Sequence, residues 1–209
     1  MQRIGARSIP VLSRGDEFVF AQNIAQVVAF LKLNEKTGPV LSPAQLVERL
    51  TRFIDAALRI VPLMPDDRLA IEVPNRPRAY RRLAHHMFRI PEAFLETAGG
   101  TYFSDELAGT VPRPEDMAST AALAIYGRGV REQVQRWWAE RADKSCKGIV
   151  ETYYGPQQLH EVLERTTWHI GQHNRQWMML LDMAGIVFER PLGEKDFADL
   201  PMPKQVWDD

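Results

Sequence analysis

Residues 156–185 read PQQLHEVLERTTWHIGQHNRQWMMLLDMAG, and this stretch predicts the longest helix of the chain. Inside it, His169 and His173 lie four residues apart. At 3.6 residues per turn the two are about 40° apart on one helix face, whereas His160 lies about 180° from His169. Zinc-type sites use histidines at this spacing. The pair could therefore share one metal ion, or it could be two ordinary side chains on a packed face; His160 does not easily join them.

Three further helices are predicted from apolar residues that recur at helical spacing. Together with the stretch above, the four predicted helices are residues 42–64, 79–98, 114–141 and 156–185. Ser42 and Pro43 are typical of a helix N-cap and first turn. Pro91 lies inside the second helix and predicts either a kink or a break there. The sequence therefore predicts a mainly α protein built on a four-helix bundle.

The N-terminal part of the chain has a different pattern. Short β-branched and aromatic runs flank the turn residues SRGD, which predicts a β-hairpin over residues 8–21. A short helical stretch follows, so residues 8–33 are predicted to form a ββα unit. The helix-breaking residues Gly38 and Pro39 then separate this unit from the four predicted bundle helices. We therefore expect a small unit at residues 1–38 and a bundle at residues 39–209, with an irregular C-terminal tail that packs over the bundle.

Composition restricts the classes of partner and compartment. The 209 residues carry 26 basic and 27 acidic side chains, a net charge of -1, so no basic surface predicts a nucleic-acid partner. No window approaches 18 uncharged apolar residues, so no membrane-spanning helix is expected. The N-terminus has no apolar signal-peptide core, and Cys146 is the only cysteine, which excludes an intrachain disulfide. These features predict a cytoplasmic protein. Cys146 is expected to be inert, although neighbouring lysines could also lower its pKa.

A third metal ligand would have to come from another helix. The second predicted helix carries adjacent histidines, His85 and His86. Its apolar stripe consists of Leu83, Met87, Ile90 and Phe94. His86 falls within this stripe and His85 lies at its shoulder, so the spacing favours His86 as the inward-facing histidine, with His85 as the alternative. Bundle cores build metal sites from facing helices, which favours a site over an incidental pair of histidines.

The two histidine-bearing stretches resemble a known family. LAHHMFRIPEAFLE (residues 83–96) is similar to the second helix of the DinB/YfiT-like superfamily, and LHEVLERTTWHIGQHNRQ (residues 159–176) is similar to its fourth helix. The resemblance covers roughly residues 42–185. It implies a DinB-like four-helix bundle in which His86, His169 and His173 bind a divalent metal, zinc or nickel.

The same resemblance implies a type of chemistry. The superfamily includes transferases that use low-molecular-weight thiols, in which the metal holds a thiolate that attacks an electrophile. The resemblance therefore favours a metal-dependent transferase of a glutathione-type thiol to a small electrophile, or a related hydrolase. The alternatives are a non-catalytic, stress-linked metal-binding bundle and a dimerising module whose histidines are incidental.

The N-terminal stretch ARSIPVLSRGDEFVFAQNIAQVVAFL (residues 6–31) resembles the last third of a glutaredoxin-like thioredoxin fold. By this likeness Pro10 would be the cis-proline that borders a thiol site. The half of that fold that carries the CxxC motif is absent, so disulfide chemistry of the glutaredoxin kind is not expected. A hairpin that has lost its flanking strands has uncovered edges, which favours pairing with a second copy. We therefore expect a homodimer.

Several other side chains could line or support a site. The polar candidates are Arg89, Gln172, Asn174, Arg175 and Gln176. For each of them, a place on the solvated helix surface is at least as good an interpretation. The aromatic candidates for a pocket are Trp137, Trp138, Tyr153, Tyr154 and Trp168. Aromatic side chains dominate bundle packing, so a place in the core is the more general expectation for these five.

Overall fold

The computed structural model describes residues 11–21, 24–34, 37–74, 76–109 and 116–207. The strands are β1 (Val11–Arg14), β2 (Glu17–Phe20), β3 (Ile149–Val150) and β4 (Gln157–Gln158). The helices are α1 (Ile24–Leu31), α2 (Pro43–Ile60), α3 (Tyr80–Ala98), α4 (Asp105–Gly109), α5 (Thr120–Glu140), α6 (Leu159–Met183) and α7 (Glu194–Phe197). The mainly α fold predicted from the sequence is confirmed.

The bundle consists of α2, α3, α5 and α6. Helices α2 and α3 each pack against both α5 and α6, so they lie diagonally across the bundle. Trp177 of α6 is fully buried, and its indole N–H donates to the carbonyl of Ile60 at 3.1 Å. Gly171 allows α6 to approach α2 closely, because a Cβ at this position would lie 2.9 Å from the Phe53 ring. These contacts fix α6, the helix that carries His169 and His173, against α2.

The N-terminal unit consists of β1, β2 and α1. The strands pair antiparallel with Val11 opposite Phe20, and Gly15 occupies the turn with φ of +65°. None of the residues whose burial is described between 11 and 34 is buried, whereas the core runs from Leu41 to Leu192. The hairpin and the helix predicted there are both present. Pro10 lies outside the described residues, and the boundary at residue 38 remains a prediction.

Two helices begin later than the sequence predicts. Helix α5 was expected to begin near residue 114, but it begins at Thr120, because Ser119 caps it and the Asp66 carboxylate accepts hydrogen bonds from the Thr120 backbone N–H and hydroxyl. Helix α6 was expected to include residues 156–158. Instead, Gln157 and Gln158 form strand β4, which pairs with β3. Contacts with residues distant in sequence therefore determine where α5 and α6 begin.

Three further features concern the connections. Helix α3 runs through Pro91 without a break, which settles the alternative that the sequence left open. The short helix α4 lies in a connection for which no helix was predicted. The C-terminal tail includes α7, and its last described residues pack over α6, as expected. Among the helices that the structure describes, none is long and apolar enough to cross a membrane.

Candidate metal centre

Three histidines from two helices converge on one side of the bundle. His86 comes from α3, and His169 and His173 come from consecutive turns of α6. One ring nitrogen of each lies within 4.8 Å of one nitrogen of the other two. The ring centroids are 5.4 Å apart for His86 and His169, and 4.9 Å apart for His86 and His173. We call these three residues the histidine cluster; their arrangement could hold a metal ion.

The other two histidines are placed elsewhere. His160 lies on α6 outside the cluster, where its Nε2 is 2.9 Å from the carbonyl oxygen of Leu41. His85 is 1% exposed and stacks on Tyr126, with ring centroids 5.3 Å apart. The expectation that His85 would lie only at the edge of the packed face is wrong. Because α3 packs against both α5 and α6, adjacent histidines can be covered on different faces, His85 towards α5 and His86 towards α6.

A hydrogen-bond chain from the tail fixes the orientation of His173. The side-chain nitrogen of Gln176 donates to the carbonyl of Val206 at 3.0 Å. The amide oxygen of Gln176 therefore faces His173, whose Nδ1 lies 2.6 Å away. Since an amide oxygen can only accept, Nδ1 carries the proton and Nε2 keeps its lone pair. This is the arrangement in which a histidine binds a metal through Nε2.

The free lone pair of His173 has no hydrogen-bond partner in the part of the protein that the structure describes. His173 is buried, and its Nε2 makes no hydrogen bond. A buried acceptor without a partner costs free energy, so such atoms are uncommon in folded proteins. A cation bound between the three imidazoles would satisfy it. The donor set therefore fits a divalent metal on an observation that is independent of the spacing in the sequence.

Burial and neighbouring charges favour the neutral form of the His169 and His173 imidazoles. Burial lowers the pKa of His173 to about 4, although the hydrogen bond with Gln176 opposes that shift. Burial also lowers the pKa of His169 well below its ordinary value, and the charges of its neighbours, including Arg165 and Arg78, act in the same direction. Neutral imidazole is the form that binds a metal ion. Both histidines of α6 are thus in the form that can bind a metal ion at neutral pH.

Two cavities meet at the histidine cluster. The first has a volume of about 490 Å³, and we call it the tail-side cavity. Its lining residues come from the turn before α3, from α6 and from the tail: Val73, Arg76, Pro77, Arg78, Trp168, His169, Gln172, His173, Gln176, Pro203 and Trp207. The second, of about 480 Å³, lies between α3, α4 and α6; we call it the α4-side cavity. His169 and His173 line both cavities. Small molecules could therefore reach the cluster from two directions.

The polar candidates from the sequence have different roles. Gln176 orients His173, as described above. Gln172 donates to the carbonyls of Gln205 and Val206, and Arg175 donates to those of Pro203 and Lys204. These residues hold the tail against α6. The buried Asn174 donates to the carbonyls of Phe53 and Ile170, so its role is in packing and not at the cluster.

Arg89 belongs to a separate buried network. It is 2% exposed, and its guanidinium donates to the carbonyl of Leu107, to Glu92 and to both carboxylate oxygens of Glu96. The hydroxyl of Tyr126 donates to the same Glu92. We call Arg89, Glu92, Glu96 and Tyr126 the Arg89 network. It ties α3 to α4 and α5 and does not line either cavity.

The remaining candidates divide between cavity and core. Of the predicted aromatic residues, Trp168 lines the tail-side cavity. The others pack against the hydrophobic clusters of the protein: Trp137, Trp138, Tyr153 and Tyr154. Cys146 is buried, and burial raises the pKa of its thiol, which agrees with the expectation of an inert residue.

Arg78 and Arg165 were not singled out from the sequence, although they lie beside the cluster. Arg165 lies one turn before His169 on α6, and Arg78 lines both cavities. The position of Arg165 four residues before His169 was available as a signal, because i, i+4 residues share a face. Arg78 lies in a turn, where no periodic pattern marks it.

Comparison with known proteins gives the fold. No protein-family model matches the sequence. No curated protein matches it either. Among solved structures, the chain is similar to a DinB-like protein from Bacillus cereus ATCC 10987, with 19% sequence identity and a TM-score of 0.56. The match covers 69% of this chain and 93% of that one. The chain therefore has a DinB-like fold, as the sequence resemblance implied.

Proposed function

We propose that this DinB-like bundle binds one divalent metal ion, zinc or nickel, through His86, His169 and His173, and that it transfers a glutathione-type thiol to a small electrophile. The observation that carries the metal assignment is the convergence of three imidazoles, one of which, His173, has a buried Nε2 with no hydrogen-bond partner among the described residues. The thiol-transferase assignment goes further and rests on the fold, on the open cavities and on the chemistry of such a donor set.

Three neutral imidazoles leave coordination positions open to a small molecule. A divalent ion in such a site acts as a Lewis acid, and it lowers the pKa of a thiol or water bound to it. The chain itself supplies the surroundings. His169 and His173 are accessible from the tail-side and α4-side cavities, which suits a reaction in which two molecules must meet.

The N-terminal unit makes glutathione the first thiol to assay. Its hairpin and helix have the order β1, β2, α1 that the resemblance to the end of a glutaredoxin-like fold implies. The unit resembles part of a thiol-binding fold, but no CxxC motif accompanies it, so the role that the resemblance supports is a contact surface for the thiol. A related hydrolase reaction would use the same donor set with water in place of the thiol.

The test separates the enzyme from a protein that only binds metal. The chain is purified without added metal, its content of zinc and nickel is measured, and thiol-dependent consumption of a panel of small electrophiles is followed. We expect about one ion per chain, and activity that is abolished by a chelator and restored by the ion. Metal binding without any thiol-dependent reaction would support the non-catalytic alternative. Absence of metal binding would overturn both proposals.

We also propose that the chain forms a homodimer through its N-terminal unit. The hairpin contains only β1 and β2, and no strand among the described residues extends this sheet. A two-stranded sheet is marginal alone, and an open edge favours pairing. Light scattering should give about twice the chain mass of 23.9 kDa at micromolar concentration. A mass equal to that of one chain would contradict the proposal.

A further inference from the structure

The charge of the tail-side cavity is one-sided. Arg76 and Arg78 line it, and none of the described residues that line it is acidic. The α4-side cavity differs, because Asp105 and Glu106 line it together with its arginines. A negatively charged group would therefore meet cationic side chains without opposing carboxylates in the tail-side cavity, whereas two carboxylates partly offset Arg78, Arg82 and Arg165 in the α4-side cavity.

Arg78 lies at the junction of the two cavities and is positioned by the backbone around it. The carbonyl of Arg78 accepts from the N–H of Val73 at 2.8 Å, and its own N–H donates to the carbonyl of Arg76 at 2.8 Å. Next to this turn, residues Glu72 and Ala79 form an antiparallel bridge. The guanidinium therefore extends from a braced turn towards the histidines of α6.

The charge of Arg78 is not neutralised within the described part of the protein. No carboxylate there forms an ion pair with it, in contrast to Arg52, Arg89 and Arg131. Burial, and after it the positive charges of Arg76 and Arg82, lower the pKa of the Arg78 guanidinium. An anionic group beside Arg78 would relieve this repulsion and would accept hydrogen bonds from the planar guanidinium.

We propose that Arg78 binds a carboxylate group of the thiol substrate in the tail-side cavity, with the thiol sulfur directed to the histidine cluster. The inference deepens the proposed function and rests on it for the position of the sulfur. Trp168 and Trp207 supply apolar surface for the body of the molecule between its two ends. The cavity of about 490 Å³ is within the range of small-molecule sites, roughly 300–1,000 Å³.

The arrangement also gives the two reactants separate approaches to the histidine cluster. The carboxylate-bearing thiol occupies the tail-side cavity, and the electrophile approaches from the α4-side cavity. His169 and His173 line both, so the two molecules meet at the histidines.

The test compares two thiols that differ in a carboxylate. The protein is loaded with Co²⁺, and binding of 3-mercaptopropionate and of 2-mercaptoethanol is followed through the cobalt–thiolate absorption band. We expect the wild type to bind the carboxylate thiol about tenfold more tightly, the size of one charge-assisted hydrogen bond. Arg78→Met should remove this preference, and Arg78→Lys should retain part of it. Arg128→Met is the matched control, because Arg128 is exposed on α5 and lines neither cavity.

A second arm tests the carboxylate site without any metal or thiol. Butyrate is titrated into the metal-free protein, and the indole N–H resonances of Trp168 and Trp207 are followed by NMR. We expect shifts in the wild type and in Arg128→Met, and none in Arg78→Met. If these shifts appear but no cobalt–thiolate band forms, the carboxylate site stands and the thiol chemistry of the proposed function fails. Equal affinities for the two thiols, or an Arg78→Met protein that keeps the preference, would overturn the carboxylate site.

Discussion

Helix α3 contributes to two polar clusters that differ in how completely their hydrogen bonds are satisfied. In the first, every nitrogen of the Arg89 guanidinium donates to a carbonyl or a carboxylate. In the second, the histidine cluster, the buried Nε2 of His173 has no hydrogen-bond partner among the described residues. The first cluster lines neither cavity, whereas the second lies where two cavities meet.

The difference favours a structural role for the Arg89 network and agrees with the ligand-binding role proposed for the histidine cluster. A buried charge is tolerated when its hydrogen bonds are complete, as those of Arg89 are, and such a network fixes neighbouring helices. A buried lone pair beside an open cavity costs stability unless something binds there. Burial alone would not separate the two clusters, because Arg89 and His173 are both buried. Satisfaction of hydrogen bonds and access to a cavity do separate them.

The largest effect is expected from a change in the histidine cluster. His169→Ala removes one of three ligands, so the affinity for zinc or nickel should fall by more than about a hundredfold, since even the loss of a residue that only orients a ligand costs about 10–100-fold. Competition with a chromogenic chelator measures the affinity. His160→Ala, on the same helix but outside the cluster, should retain the metal. Equal metal content in the two variants would contradict the ligand set.

The next effect should be confined to stability. Arg89→Met leaves Glu92 and Glu96 without their buried partner, so we expect the free energy of unfolding to fall by about 3 kcal/mol. Urea unfolding of the metal-free protein measures it. Arg131→Met breaks a more exposed ion pair with Asp55 and should cost less than about 1 kcal/mol. If Arg89→Met stayed folded yet lost its metal affinity, the separation of the two clusters would be wrong.

A smaller effect tests the orientation of His173. Gln176→Leu removes the acceptor of the Nδ1 proton, so metal affinity should fall about 10–100-fold while the fold is kept. Gln172→Leu is the matched control, because Gln172 also donates to the Val206 carbonyl but has no hydrogen bond to a histidine. The same chelator competition applies to both. Equal losses in the two variants would indicate that the tail, and not the hydrogen bond to His173, controls the site.

The smallest effects come from a pair of glycines on α5. A Cβ at Gly127 would lie 2.5 Å from the Phe88 ring of α3, so Gly127→Ala should lower the free energy of unfolding by about 1–3 kcal/mol. Nothing lies within 4 Å of a Cβ at Gly129, so Gly129→Ala should raise it by up to about 1 kcal/mol through helix propensity. Thermal unfolding compares them. Metal affinity should be the same in both, since neither position contacts the histidine cluster.

The sequence predicted the long helices well and their starts less well. Apolar periodicity is a local signal, and it located the four bundle helices. The residue type of Ser42, also a local signal, predicted the N-cap of α2. The starts of α5 and α6 depend on Asp66 and on strand β3, which are distant in sequence. No pattern within those helices could reveal such partners. The same limit explains why α4 and the β3–β4 pair were not predicted.

For the candidate site, the sequence located side chains but not their environment. The spacing of His169 and His173 indicated a shared face, and the three predicted residues do converge. Which histidine of the pair at 85 and 86 faces α6 could not be settled from one apolar stripe, because α3 is covered on two faces. The Gln176 hydrogen bond to a carbonyl 30 residues away depends on the folded tail. The metal-binding role of the histidine cluster remains a prediction.

The tail is held through its main chain. Gln172, Arg175 and Gln176 all donate to carbonyl oxygens of residues 203–206, and carbonyl oxygens are present whatever side chains a segment carries. Substitutions in the tail can therefore accumulate over evolution while the orientation of His173 is kept. Selection on this feature acts on the three donors of α6. In divergent relatives, we expect a glutamine three residues after the second histidine to be retained. It should indicate that the tail is held against this helix even where the tail sequence no longer aligns.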